Sequence, residues 1–164
     1  MNHHMREFIS TTEELLGTEQ VRMMGRWNHH GQISTLDHSL FVAYWSFRVA
    51  KALRLDTSAA ARGGLLHDLY LYDSKDKSAH PGFQCFDHPR AAARNAEKIT
   101  DLSDKERNII LSHMWPAGGA LPRSAEAVVV DLVDTFCAGV EFSRMYHPAR
   151  LRERLGVQPL AAAT

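Results

Sequence analysis

The sequence predicts an all-α fold, a single-domain bundle of five to seven helices. Three observations predict it. Apolar residues recur at helical spacing in one segment after another. Capping residues stand just ahead of those segments. No stretch sustains the apolar–polar alternation of a strand; Val128-Val129-Val130 is β-branched, but its pattern is too long and too acid-spaced to be one.

Residues 5–16 read as a short helix stopped by Gly17, and 19–27 as a weaker second one. A polar loop follows over 28–34. Thr35 caps a helix over 36–55, where His38, Val42, Trp45, Val49 and Leu53 form one inward stripe. Thr57 or Ser58 caps a helix over 59–70. Its Ala60, Gly63, Gly64 and His67 share a face, and the small residues there let another helix approach closely. The segment 71–86 is long and irregular, as functional loops are. Pro89 suits the first position of a helix running to 99, with Asp87 or His88 as its cap. Ser103-Asp104-Lys105-Glu106 is a capping box that opens a helix to 114. After a second loop over 115–123, Ser124 caps the last long helix, 125–146, with Val129, Val133, Phe136 and Val140 as its buried stripe. Pro148 ends it. Residues 149–158 form a short extra turn, and 159–164 fray.

A chain of 164 residues is long enough for one domain with a real core. The formal net charge is zero, so no global field draws nucleic acid or an anionic membrane, and neither is expected as a partner. No apolar stretch approaches the roughly 20 residues needed to span a bilayer. The N-terminus lacks the basic and apolar regions of a signal peptide. The only two cysteines, Cys85 and Cys137, do not make a disulfide framework. A cytoplasmic protein is expected.

The ten histidines carry the functional signal. Leu65-Leu66-His67-Asp68 places an imidazole beside a carboxylate after an apolar run. His38, His88, His113 and Asp134 stand at starts, ends or inward faces of other predicted helices. Singly, each has an ordinary explanation: a hydrogen-bonded core histidine, a helix cap, a cation at a helix C-terminus, or a terminal ion pair. Asp134 in an apolar helix is harder to explain, because buried carboxylates need a partner. Together, four His and two Asp on four or five separate helices are costly to bury without a shared partner, and a metal ion supplies one. Imidazole plus carboxylate suits a divalent ion such as Fe, Mn, Co, Ni or Zn, with Mg admitted; the absence of Cys ligands argues against a thiolate zinc site. Asp131, one turn before Asp134, competes with it. Asp134 is preferred, and Asp131 is left as a residue orienting a ligand.

The ordered set His38, His67-Asp68, His88, His113, Asp134 resembles the HD superfamily of metal-dependent phosphohydrolases, in the contexts "HSLFVA", "GLLHD" and "LVDTFCA". The resemblance covers roughly 35–142. It implies an HD-type helical bundle with an N-terminal helical extension over 1–34, a metal-binding core over 35–142, and a short helix and tail over 143–164. It also implies one ion held by His38, His67, Asp68 and Asp134, and a second held by Asp68, His88 and His113. Asp68 would bridge the two and, with His67, form the catalytic centre. The implied reaction is hydrolysis of a phosphate ester or anhydride, in a nucleotide or other small phosphorylated metabolite, by metal-activated water.

Lys75 and Arg123 are the expected phosphate contacts, with Lys77 a further candidate, since both long loops can hang over the site. Arg26, His29 and His30 can reach the cleft mouth. Tyr70, Tyr72, Phe83 and Trp115 can stack a base or simply fill core. The doublet continues Leu69-Tyr70-Leu71-Tyr72-Asp73 rather than the Ile-Gly-Lys of phosphodiesterase-type members, so cyclic dinucleotide hydrolysis has no support. Two alternatives use the same residues: a mixed-valence di-iron oxygenase, and a nucleotide- or metal-sensing module without turnover. A homodimer is left open.

Overall fold

The computed structural model describes residues 3–30, 33–80, 82–143 and 148–160. Eight α-helices and one small hairpin form among them: α1 (His3–Gly17), α2 (Glu19–Met23), β1 (Asn28–His30), β2 (Ile33–Ser34), α3 (Thr35–Ala52), α4 (Thr57–Leu66), α5 (Gln84–Ala96), α6 (Asp104–Ser112), α7 (Ala125–Phe142) and α8 (Ala149–Leu155). The all-α expectation holds. The eighth helix is the short turn expected after Pro148. None of the described helices is long and apolar enough to cross a membrane.

α3 is the central element. It packs on α4 and α7, while α6 closes against α4 and α7. Every residue from Thr35 to Tyr44 is buried, so its first turns are enclosed on all sides rather than along one stripe. The expected stripe fails farther on: Trp45 is 40% and Leu53 58% exposed, and Phe47 and Ala50 face the core instead. The small face of α4 does what its composition predicts. Gly64 lies against the α3 backbone, where a Cβ would stand 3.1 Å from the Ala43 Cα, and Gly63 lies against Ile109 of α6.

The glycines give a signed prediction. A Cβ at Gly63 would stand 2.7 Å from the Ile109 Cγ2, and Ile109 is fully buried. Overpacking costs about 1–3 kcal/mol, more than the roughly 1 kcal/mol that Ala gains over Gly in a helix. Gly63→Ala therefore lowers the urea midpoint of the metal-free protein. Gly139→Ala on α7, where nothing stands within 4 Å of the added Cβ, raises it.

Helix boundaries differ from expectation where a better cap was one residue away. Ser34, not Thr35, caps α3, its hydroxyl accepting from the Asp37 N–H at 3.1 Å. The Thr35 N–H instead donates to the Trp27 carbonyl at 2.9 Å. Asp56, rather than Thr57 or Ser58, caps α4 through the Ala59 N–H. α4 also ends at Leu66, with His67 as its C-cap, and the chain turns before Leu71 in the left-handed region (φ 57°). The capping box of Ser103 and Glu106 forms as predicted.

α5 starts five residues before Pro89, which lies inside it. Proline has no N–H for the Cys85 carbonyl, and Gly118 packs against that carbonyl, where a Cβ would come within 3.0 Å. Asn28–His30 and Ile33–Ser34, expected as loop, pair instead as the antiparallel strands β1 and β2. Pro159 and Leu160 do not fray: Pro159 fills the space over Gly25, and the Leu160 N–H donates to the Arg22 carbonyl at 3.2 Å. The expected extension of the last helix to 146 falls largely on 144–147, and the rest of the tail on 161–164; these, with the His30 side chain, lie outside the described residues.

The expected α7 stripe holds at three of its four positions: Val129 is buried, Val133 and Val140 pack partly buried against the core, and Phe136 does not join them. Phe136 is 65% exposed, and Leu132 (62%) and Phe142 (88%) are exposed too. The inward face carries Ala127, Val130, Cys137 and Glu141, all buried, with Asp134 beside them. The acids set this orientation. Turning Asp134 and Glu141 toward histidines satisfies their charge and leaves apolar residues outside.

Candidate metal centre

The six predicted ligands come from the ends or inner faces of five helices, His67 and Asp68 together from the end of α4, and the fold brings all six together. His38 is on the first turn of α3, and His67 and Asp68 follow α4. His88 is in α5, His113 is the C-cap of α6, and Asp134 is midway along α7. All are buried except Asp134, whose side chain is 15% exposed.

Three of the imidazoles are locked in the same way. Nδ1 of His67 stands 2.7 Å from the Gly64 carbonyl oxygen, that of His88 2.7 Å from Gln84, and that of His113 2.8 Å from Ile110. A carbonyl only accepts, so each Nδ1 carries the proton and each Nε2 presents a lone pair. These lone pairs converge. The His88 and His113 Nε2 atoms lie 2.7 Å apart. Among the described residues, the His67 Nε2 and the Asp68 Oδ1 are buried without a hydrogen-bond partner. Facing lone pairs at that spacing repel unless a cation or proton lies between them. Backbone carbonyls on the far nitrogen are the usual orienting partners of ligand histidines.

Asp68 divides the cluster. Its Oδ1 faces the Nε2 of His88 at 3.4 Å and of His113 at 3.6 Å. Its Oδ2 faces the Nε2 of His67 at 3.5 Å and the Nδ1 of His29 at 3.3 Å. Asp134 Oδ1 lies 2.9 Å from the His38 Nε2 and 3.7 Å from the His67 Nε2. The structure thus sets Asp134, the preferred carboxylate, against both histidines. Asp131 is buried one turn earlier, and burial together with the Asp134 charge raises its carboxyl to about 6.

His38 differs from the other three. Both oxygens of the buried Glu141 stand 3.0 Å from its Nδ1, opposite Asp134 on Nε2. Burial alone would lower its pKa, but the two carboxylates outweigh it and hold the imidazole up at about 10. At His113, burial and the neighbouring His67 and His88 act together, and the ring is held down at about 3, neutral and ready to donate a lone pair. Burial would raise the Asp68 carboxyl; the surrounding histidines, His67 first, instead hold it well below the ordinary carboxylate range.

A cavity of about 410 Å³ opens over the cluster, walled by Asp68, His88, His113 and Asp134 and by Tyr70, Ser74, Gln84, Met114 and Thr135. No Lys or Arg is among the described residues that line it. Of the two expected phosphate contacts, Lys75 is exposed beside Ser74. Arg123 lines a different groove, with Lys105 and Arg107. Tyr70 is buried on the wall, whereas Phe83 (78%) and Trp115 (45%) face outward. The segment 72–80 is held by His80, which is buried, stands 2.7 Å by its Nε2 from the Ser74 carbonyl oxygen and stacks on Tyr72.

A family model for the HD domain matches residues 35–139. The chain belongs to the HD domain family. No curated protein and no solved structure matches it significantly. The HD segment runs from the first residue of α3 into α7 and contains all six predicted ligands. The superfamily is one of metal-dependent phosphohydrolases, and the His/Asp groups of this HD core can hold a metal ion. Two residues that touch the cluster lie outside the matched segment: His29 before it and Glu141 after it. Glu141 had no place in the sequence reading, although it lies on the same face of α7 as Asp134, two turns on.

Proposed function

We propose that the protein is a metal-dependent phosphohydrolase that cleaves a phosphate ester or anhydride in a nucleotide or other small phosphorylated metabolite. One observation carries the reading: the two oxygens of Asp68 face two separate groups of imidazoles, each with lone pairs turned inward. The donor set fits divalent transition ions, and the unpartnered His67 Nε2 and Asp68 Oδ1 fit ligation rather than hydrogen bonding. His38, His67, Asp68 and Asp134 would hold one ion; Asp68, His88 and His113 would hold a second.

Bound there, such ions supply Lewis acidity for water and positive charge for phosphoryl oxygens. The chain's own residues do the rest. The Gly64, Gln84 and Ile110 carbonyls fix three ligand rings in the donor tautomer. Tyr70 and Met114 wall the cavity against bulk water, and Ser74, Gln84 and Thr135 offer hydrogen bonds to the esterified group. With no cation on the described wall, the phosphate's charge is left to the ions, and Lys75 at the rim is the side chain assigned to steer it. Arg123, in its separate groove, is not assigned that role. The unpaired Cys85 and Cys137 support a cytoplasmic setting.

Lys75→Ala is expected to raise KM several-fold at unchanged kcat, since an exposed cation contributes ground-state binding. Steady-state kinetics checks it.

The reading is tested with metal-stripped protein reloaded with Mn2+, Co2+ or Fe2+ against a panel of nucleotides and sugar phosphates. Metal-dependent phosphate or phosphoester release supports it. Oxygen uptake by the iron-loaded protein without hydrolysis overturns it in favour of the oxygenase, and tight nucleotide binding without product overturns it in favour of a sensor.

A further inference from the structure

We propose that His29 is a fifth protein ligand to the first ion, supplied by the hairpin from outside the HD core. The inference rests on the metal-dependent reading above and adds a ligand to it.

The placement is selective. The His29 Nδ1 approaches Asp68 Oδ2, the oxygen on the His67 side, at 3.3 Å, and not Oδ1, which faces His88 and His113. One donor atom from each of His29, His38 and Asp68 lies within 4.8 Å of the other two. The His29 ring stacks on His38 with centroids 4.0 Å apart and planes 22° from parallel. Its strand is pinned at the mouth of α3 by pairing with β2 and by the Thr35 N–H on the Trp27 carbonyl. The side chain remains about 20% exposed, so it closes the cluster from the solvent side.

The consequence is an asymmetry between the ions. With His29, the first has His29, His38, His67, Asp68 and Asp134. The second has Asp68, His88 and His113. An ion that takes about six donors is nearly filled at the first position and half open at the second. The first ion is then the tightly held one, and the second keeps the open positions for water and substrate, in a cavity that His29 and Asp134 line together with His88 and His113.

Titration of the metal-stripped full chain with Co2+, read by chelator competition and by visible absorption, tests this. The wild type is expected to bind a tight first equivalent and a weaker second one. His29→Ala should weaken the first equivalent at least tenfold, change its absorption spectrum, and leave the second within twofold. His29→Gln separates ligation from hydrogen bonding, because its amide can still donate to Asp68 while the imidazole is gone. The inference expects Gln to behave as Ala does. A His29→Gln protein with wild-type affinity and spectrum reduces His29 to a hydrogen-bond partner and overturns the inference while leaving the metal centre standing. If Ala does not fold, judged by far-UV circular dichroism, the Gln variant decides alone. A wild type that binds no Co2+ overturns the metal reading and this inference together.

Discussion

Asp68→Asn is expected to abolish retention of both ions and to lower any metal-dependent turnover at least about a thousandfold, while the metal-free chain folds normally. Asp68 is 2% exposed and is the one residue whose two oxygens serve both halves of the cluster. Asn keeps the size but has one oxygen and no charge. Its NH2 can donate to the imidazole nitrogens around it, so the metal-free variant keeps hydrogen-bond partners within the cluster. The effect therefore appears in binding and not in folding. Excess metal should raise the wild-type melting temperature, since a ligand at a hundred times its Kd adds about 2.7 kcal/mol, and the variant should show no such rise. Metal content by mass spectrometry and melting curves with and without metal check both halves. A variant that keeps two ions would remove Asp68 from the bridge.

Much of this arrangement was legible in the chain because two physical signals agree along it. The glycines of α4 announced a close helix contact, and both Gly63 and Gly64 are in one. The His67-Asp68 doublet falls at the end of that helix, as the apolar run ahead of it implied. What stayed hidden has separate causes. On α7 the valines of the expected stripe keep to the core side, but Phe136 faces outward because Asp134 and Glu141 turn to the histidines. α5 was started at Pro89 because proline suits a first turn, but Phe83 and Gln84 begin the helix earlier, and the His88 Nδ1–H bond to Gln84 depends on that earlier turn. The hairpin that carries His29 is two and three residues long, too short for any period-two signal. His29 is expected only at the cleft mouth, yet it reaches Asp68; Glu141 lies within the stretch that resembles the family but matches none of its motif positions, so only its contact with His38 reveals it.

Glu141→Gln is expected to weaken the first ion about tenfold, and Glu141→Ala up to about a hundredfold, the range seen for groups that orient a ligand histidine. Glu141 is 4% exposed, and both its oxygens reach the His38 Nδ1. The Gln oxygen can still accept that proton and keep the ring's orientation, but it no longer polarises the ring; Ala loses both. A purely structural role for Glu141 would lower the melting temperature of the metal-free chain and leave the proton balance of binding unchanged. The proton balance is where the two accounts part. In the metal-free chain His38 donates to carboxylates on both sides and holds its proton up to about 10. The first ion must displace that proton at neutral pH, so its affinity rises with pH toward that value. The sign for stability is opposite. A raised histidine stabilises the metal-free fold fully below its unfolded pKa of about 6.5, and that contribution is lost as pH rises through about 10. Glu141→Gln removes one of the two carboxylates, brings the His38 pKa down, and reduces the proton released per ion at pH 7.5. Calorimetric titrations in buffers of different ionisation enthalpy measure that release. An undiminished release in Glu141→Gln would mean that Asp134 alone sets the charge on His38 and that Glu141 only fills space beneath it.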